Sequence, residues 1–419
     1  MKILFVIGQF PCLSETFVLN QVTGLLDLGH DVTVCAIANR KAQANAPYVQ
    51  QYGLGNRIWC GETIPCGKLK RIATAVSKLP AFLRRCGLHG LQAFNPLKYK
   101  LPAANLTLFY SCLPLLNRDT RFDAIQCHFG NYGLRALAWR NMGLVRGPIL
   151  TVFHAHELAG LSDQKGRRLY FPLFKCNTLL LPISERWRQR LIRWGARPER
   201  TIVHHMGVDL GRFEYAPRFP GPDETVQILS VGRLVEQKGF EYAIRAVSHL
   251  RQLTSRGLQY TIIGSGELEN PLKGLVSELG ISDIVTFAGP LLQDQVRRRM
   301  HESHIFLLPS VTAANGFQEG IPVAIMEAMA SGLPVVTSRH SGIPELVEHD
   351  VSGFLAKERE VVPLAESMER LMSDSILCRR ISAAGREKVE REFDIRKLNM
   401  RLQEILSLES DRYLAGIHP

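Results

Sequence analysis

Nowhere in this sequence do apolar residues run unbroken for the ~18 positions a membrane-crossing helix needs, so none is expected. The first apolar run, residues 3–7 before Gly8, is too short for a secretory leader and lacks a small-residue cleavage site. It reads as a buried strand, and a cytoplasmic location is expected. No C-x-x-C pair occurs among nine cysteines, an odd number, which argues against a zinc ribbon or a disulfide framework and for a reducing compartment. There is no internal repeat and no low-complexity tract. Acidic residues are scarce in one half only. Residues 1–210 carry 27 Lys and Arg against 11 Asp and Glu, whereas residues 211–419 carry 24 against 28. The first half therefore suits an acidic partner: nucleic acid, anionic lipid or a phosphorylated substrate.

What is present is 419 residues of ordinary globular composition, about two to three times single-domain length. Short apolar runs of the kind a parallel sheet buries on both faces recur at 3–7, 32–37, 124–127, 149–153 and 179–183, with helical segments between them. A second series occupies 227–231, 260–263, 285–288, 305–308, 334–337 and 353–355. The stretch from 207 to 223, with three prolines and three glycines, reads as the linker between two doubly wound α/β units. The insert 68–117 differs from both. Its Leu69, Ile72, Val76, Leu79 and Leu83 form a stripe beside Lys68, Lys70, Arg71, Lys78, Arg84 and Arg85. Such a stripe either packs on its own domain or docks on a lipid surface.

Three segments of the second half sit where strands hand over to helices, the place where open α/β sheets bind ligands. Arg233 and Lys238, five residues apart in a loop with Gly232 and Gly239, can converge on a diphosphate. Gly264 and Gly266 make a tight turn after a strand, but the third glycine of a dinucleotide fingerprint is missing. In the third segment Glu319 and Glu327 lie eight positions apart around Pro322; a helix starting there carries Glu327 in its first turns and leaves Glu319 in the preceding loop. In the first half His128 follows a strand and H-x-H-E occupies 154–157, without the H-E-x-x-H spacing of a zinc helix. His154 is the expected cleft residue of that pair. Ser14 is the expected N-cap of the helix after the first strand.

The order V-G-R-x4-K-G, G-S-G-E, L-P-S and E-G-x-P-x4-E-A-M-A-x-G-x-P-V-V resembles the donor half of family-4 retaining glycosyltransferases of the GT-B fold. G-Q-F-P-C-L-S-E-T-F at 8–17 and H-M-G-V-D at 205–209 are similar to colanic-acid and related exopolysaccharide glycosyltransferases. The resemblance implies two Rossmann-like domains facing across a cleft: residues 1–206 for the acceptor, a linker over 207–222, residues 223–385 for the donor, and helices crossing back from about Arg386. It implies a nucleotide-sugar donor, UDP- or GDP-linked, no metal, and transfer with retention. Arg233 and Lys238 would grip the diphosphate, Glu327 the ribose and Glu319 the sugar near the reacting carbon. Gly316 and Phe317 would offer backbone, Gly264 and Gly289 would line the nucleoside pocket, and His128 would touch the donor sugar. Gly8, Ser14, Glu15 and Thr16 would form an acceptor-side loop, with His154 beside it.

Where the family commonly has Pro-Asn, this chain has His205-Met206, and Ala155 and Glu157 stand where Gly and Asp are frequent; these departures bear on the acceptor. A polyprenyl-diphosphate-linked oligosaccharide at an anionic membrane face fits the basic half, and nucleic acid is not expected. The alternatives are a nucleotide-sugar 2-epimerase on the same fold and a non-catalytic nucleotide-sugar-binding subunit. A nicotinamide-dependent dehydrogenase is disfavoured by the incomplete fingerprint.

Overall fold

A computed structural model describes residues 1–10, 16–38, 47–61, 64–176 and 178–416. Ser14 and Glu15 lie outside them, and at Thr16 only the start of the helix Thr16–Asp27 is described. Among the described residues twelve strands form two six-stranded parallel sheets. The first holds β1 (Lys2–Gln9), β2 (Asp31–Ala38), β3 (Ile58–Cys60), β4 (Ala124–His128), β5 (Ile149–Phe153) and β6 (Leu179–Pro182). The second holds β7 (Val226–Val231), β8 (Leu258–Ile263), β9 (Val285–Gly289), β10 (Ile305–Leu308), β11 (Val335–Ser338) and β12 (Phe354–Ala356). The orders are β3-β2-β1-β4-β5-β6 and β12-β11-β10-β7-β8-β9, the same winding read from opposite edges. Each order reverses beside its first strand, between β1 and β4 and between β7 and β10, and a crevice opens there at the strand ends.

The central strands are buried on both faces, which is why they appear in the sequence as unbroken apolar runs. Only β3 was not foreseen: a three-residue edge strand is too short to show a period. The insert is helical throughout. The helix Lys68–Cys86 leads through a 3-10 stretch, Gly87–Phe94, into the short helices Pro96–Tyr99, Leu101–Ala104 and Thr107–Cys112.

The two hydrophobic cores meet at Gly207, since Met206 packs in the first and Val208 in the second. Arg386 lies inside the helix Ser375–Glu392 on the second domain, so the chain returns later than expected, through the helix Ile395–Leu414. That helix buries Leu402, Ile405 and Leu406 in the first core. Its Glu409 pairs with Arg200, both side chains nearly buried, Nη1 to Oε1 being 2.8 Å. The outgoing and returning chains touch: Val208 N–H donates to the Phe393 carbonyl and Ile395 N–H to the Val208 carbonyl. A Cβ on Gly207 would come within 2.7 Å of the Phe393 carbonyl oxygen, so only glycine fits this double crossing.

Candidate active site

Beyond β7, Gly232 and Arg233 lead into the turn that carries Lys238, and Gly264 crosses directly over it. Gly264 has φ +140°, and a Cβ there would lie 1.9 Å from the Gly232 carbonyl oxygen. Its N–H donates to the Gly289 carbonyl at 2.9 Å, so the ends of β7, β8 and β9 present bare backbone side by side. Arg233 is exposed, and its side chain makes no hydrogen bond or ion pair among the described residues. Lys238 Nζ sits 2.9 Å from Glu319 Oε2, with only 13% and 15% of the side chains exposed. Lys238, expected beside Arg233 on a diphosphate, is held here in a direct ion pair with Glu319, a pairing that the sequence did not suggest.

Glu319 lies in the loop between β10 and the helix Val323–Ala330, whose N-cap is Pro322. A buried relay that sequence reasoning missed fixes this loop. The Glu319 N–H donates to His340 Nε2 at 3.1 Å, which leaves His340 Nδ1–H to donate to Glu358 Oε1 at 2.6 Å. Glu358 also accepts from the Thr312 N–H and hydroxyl. Burial pushes the His340 pKa down although Glu358 opposes it. Burial would raise Glu358, but the Thr312 N–H and His340 outweigh it and hold that carboxyl low. No spacing marks the relay, because its members come from three separate loops.

Glu327 stands inside the helix as expected, beside Gln293 at 3.5 Å, and burial pushes its carboxyl up to about 7. It borders a narrow gap between the domains, lined from the first by Phe17 and Asn20 and from the crossing by Asp209 and Arg212. Phe17 also packs against His154, ring centroids 4.6 Å apart. Neither Phe17 nor Arg212 was singled out from sequence.

The first domain corrects the histidine expectations. His128 does not reach the cleft: it is wholly buried, with Nδ1 3.0 Å from His154 Nε2 and Nε2 3.3 Å from Gln126. Burial holds His128 well below its ordinary pKa and pulls His154 down to about 3, so both rings are neutral. His154 is itself 9% exposed, framed by Phe17 and Phe129. The side chain that does enter the cleft is His156, which stacks on Phe317 of the second domain, 4.8 Å apart and 15° from parallel. Two non-glycine residues with positive φ make this arrangement, Phe129 (+71°) after β4 and Ala155 (+75°) after β5. Each costs on the order of 1–3 kcal/mol, strain of the kind that concentrates at functional sites.

Beside His156 opens a cavity of about 420 Å³ lined by Gly8, Gln9, Phe129, Tyr132 and Glu157. A Cβ on Gly8 would strike the Tyr132 hydroxyl. Glu157 accepts the His154 N–H at 3.0 Å, and burial pushes its carboxyl up to about 7. Among the described residues no three His, Cys, Asp or Glu side chains converge as metal ligands.

The domains also touch at one edge of the cleft. Glu345 of the second accepts the N–H groups of Glu185 (2.8 Å) and Arg186 (3.2 Å), capping the first-domain helix Glu185–Arg193. Arg186 in turn donates to Gln318 at 3.0 Å. Gly316 (φ +81°) lies opposite Gly160, next to the His156–Phe317 stack.

Comparison with known proteins agrees with this architecture. The family described as Glycosyltransferase Family 4 matches residues 14–212, and that described as Glycosyl transferases group 1 matches residues 212–388. The chain is 38% identical over 408 residues to the amylovoran biosynthesis glycosyltransferase AmsK of Erwinia amylovora, covering 97% of this chain and 99% of that one. It is 36% identical over 415 residues, with the same coverage, to WcaL of Escherichia coli (strain K12), named for colanic acid biosynthesis. Among solved structures, Anabaena HepE in complex with UDP and glucose aligns with a TM-score of 0.71 at 19% identity, over 97% of this chain and 99% of that one. The fold is GT-B.

Proposed function

Because the chain belongs to the family 4 glycosyltransferases, with a group 1 second half, we propose that it moves a sugar, retaining its configuration and using no metal, from a UDP- or GDP-linked donor to a polyprenyl-diphosphate-linked oligosaccharide. The names of AmsK and WcaL support assembly of an exopolysaccharide as the setting, and the site of action is the cytoplasmic face of the inner membrane, with the protein peripheral to it.

The observation that carries this reading is the Lys238–Glu319 pair beside the unpaired Arg233, under the glycine-lined ends of β7 and β8. A diphosphate can approach that backbone closely. Arg233 forks onto it, and its oxygens replace Glu319 as the partner of Lys238. The two cations then neutralise the charge that grows on the β-phosphate as the glycosidic bond breaks. Glu319, released, takes the sugar hydroxyls near the anomeric carbon, and Glu327 the ribose. The acceptor oxygen attacks the anomeric carbon on the face the phosphate leaves, forming one C–O bond as the other breaks, and its proton passes to the departing phosphate oxygen. A covalent route through Glu319 would call for a second catalytic acid close by, as in retaining glycosidases. In the first domain His154, held by His128, faces the donor sugar, and the cavity beside His156 takes the acceptor.

Titration calorimetry with UDP, GDP, ADP and their sugars in the presence of a chelator tests this. Selective binding of one nucleoside diphosphate is expected, weakened about 10- to 100-fold in Arg233→Ala. Binding that needs a divalent cation overturns the metal-free step, and none under either condition overturns the donor site. An anomeric configuration in the product opposite to the donor's overturns retention.

A further inference from the structure

Between the helix Lys68–Cys86 and Ala104 the chain presents a surface that its own domain does not cover. The helix buries Ala75, Phe82 and Cys86 and turns Leu69, Ile72 and Val76 to solvent. The following turns add Leu88, Leu97 and Leu101, also exposed. Leu69, Leu88 and Leu97 are 85%, 81% and 94% exposed. The stripe, which the sequence left open between packing inward and docking on lipid, is split: Leu79 and Leu83 pack on the core, and the rest stand clear. Monomeric soluble proteins rarely expose this much leucine in one region without a use for it.

The charge around these leucines says what the use is. From residue 63 to residue 118 there is no Asp or Glu, against nine Lys and Arg. Some of the nine hold structure: Arg71 donates to the Pro65 and Asn105 carbonyls, and Arg85 to the Thr120 hydroxyl. Lys68, Lys70, Arg84 and Lys100 are exposed, and their side chains make no ion pair or hydrogen bond among the described residues. Leu69, Ile72 and Val76 share one face of the helix Lys68–Cys86, and Leu88, Leu97 and Leu101 stand on the short helical turns that follow, which suits a fluid apolar layer beneath anionic headgroups. No described helix is long and apolar enough to cross a membrane. We propose that residues 68–104 are a docking face for an anionic bilayer, the leucines entering the acyl boundary and the free cations resting among the headgroups. The face gives residues to the peripheral membrane placement proposed above, but it is argued from this surface alone and does not rest on the donor chemistry.

Flotation of the full chain with vesicles of phosphatidylethanolamine and about a third phosphatidylglycerol tests it, with phosphatidylcholine vesicles as the comparison. Binding to the anionic vesicles at low salt is expected, with little to phosphatidylcholine. The variant Leu69→Ser, Leu97→Ser, Leu101→Ser should lose more than about tenfold in partitioning at any salt. The variant Lys68→Gln, Lys70→Gln, Arg84→Gln, Lys100→Gln should lose binding most at low salt, where screening is weakest. Circular dichroism and nucleoside diphosphate binding, both expected unchanged, show that the variants are folded. No wild-type flotation, equal binding to phosphatidylcholine, or full binding by the leucine variant each overturns the proposal; loss of vesicle binding cannot be mistaken for failure of the donor site, which the calorimetry reads separately.

Discussion

The second domain meets the cleft with charge: Arg233 free, Lys238 and Glu319 paired, and bare glycine backbone between them. The first domain meets it with groups whose burial disfavours charge, the His154 imidazole and the Glu157 carboxyl, packed among Phe17, Phe129 and Tyr132, and with His156 stacked on Phe317. In the proposed function the charged part of a ligand accordingly meets one wall and a neutral part the other. The first domain's strong positive charge is absent from its own cavity: none of the lining residues of that cavity is Lys or Arg, and most of its exposed bases lie instead on the insert and between residues 165 and 197.

The contrast breaks most sharply at Glu319. Glu319→Ala should lower transfer about 10²- to 10³-fold while leaving nucleoside diphosphate affinity unchanged or tighter, because Lys238 loses its competing partner; calorimetry and a turnover assay on the same variant separate the two. A parallel loss of nucleotide binding would mean that the pair is structural.

Acid should separate the halves next. The buried histidines are neutral when folded but charge near 6.5 when unfolded, so their contribution to stability is complete above about pH 6.5 and is lost as pH falls toward their lowered values. The first domain has three of them, His128, His154 and His204, and the second has His304 and His340. The raised carboxyls run the opposite way: natively protonated up to about 7, they lose stability as pH rises from about 4.5 to 7. There is one in each half, Glu157 and Glu327, so this effect cancels from the comparison. All four tryptophans, 59, 139, 187 and 194, lie in the first half. Tryptophan emission should therefore report unfolding below pH 6.5 before nucleotide binding is lost, and coincident transitions would show that the domains unfold as one unit.

Removing the relay should have a smaller effect. His340→Ala frees the Glu319 N–H and the Glu358 carboxylate, and kcat should fall about tenfold with little change in donor KM; His340→Gln, which keeps an acceptor for the N–H, should recover part of it. Equal losses in both constants would point to a damaged fold instead. The smallest effect is expected at Glu345, where Glu345→Ala removes only the cap joining the domains and should raise donor KM about two- to fivefold through an easier opening of the cleft. Small-angle scattering that shows no shift toward an open form would remove that explanation.

Eleven of the twelve described strands were legible because burial on both faces writes an unbroken apolar run, and the places of Arg233, Lys238 and Glu319 beyond strand ends because glycine, arginine and glutamate follow those runs. His128 was misread for a related reason: a residue following a strand is at the right height, but sequence does not say whether another side chain stands in front of it. Here Ala155 turns the chain so that His154 covers His128 and His156 reaches the cleft. His340 and Glu358 stayed hidden because their partners are 21 and 46 residues away. In the insert, the stripe was visible but its coverage was not, since helical spacing identifies an apolar face without saying what lies against it.

The returning helix Ile395–Leu414 makes the first domain discontinuous in sequence. A ribosome delivers that helix only after the whole second domain has emerged and can fold. The amino-terminal domain must therefore wait, its sheet assembled but the seat for Leu402 and Leu406 still open, until the helix arrives. Completion of the first-made domain thus depends on chain made after the second, and a product truncated near residue 393 would carry a folded second domain joined to a first domain with an exposed apolar seam.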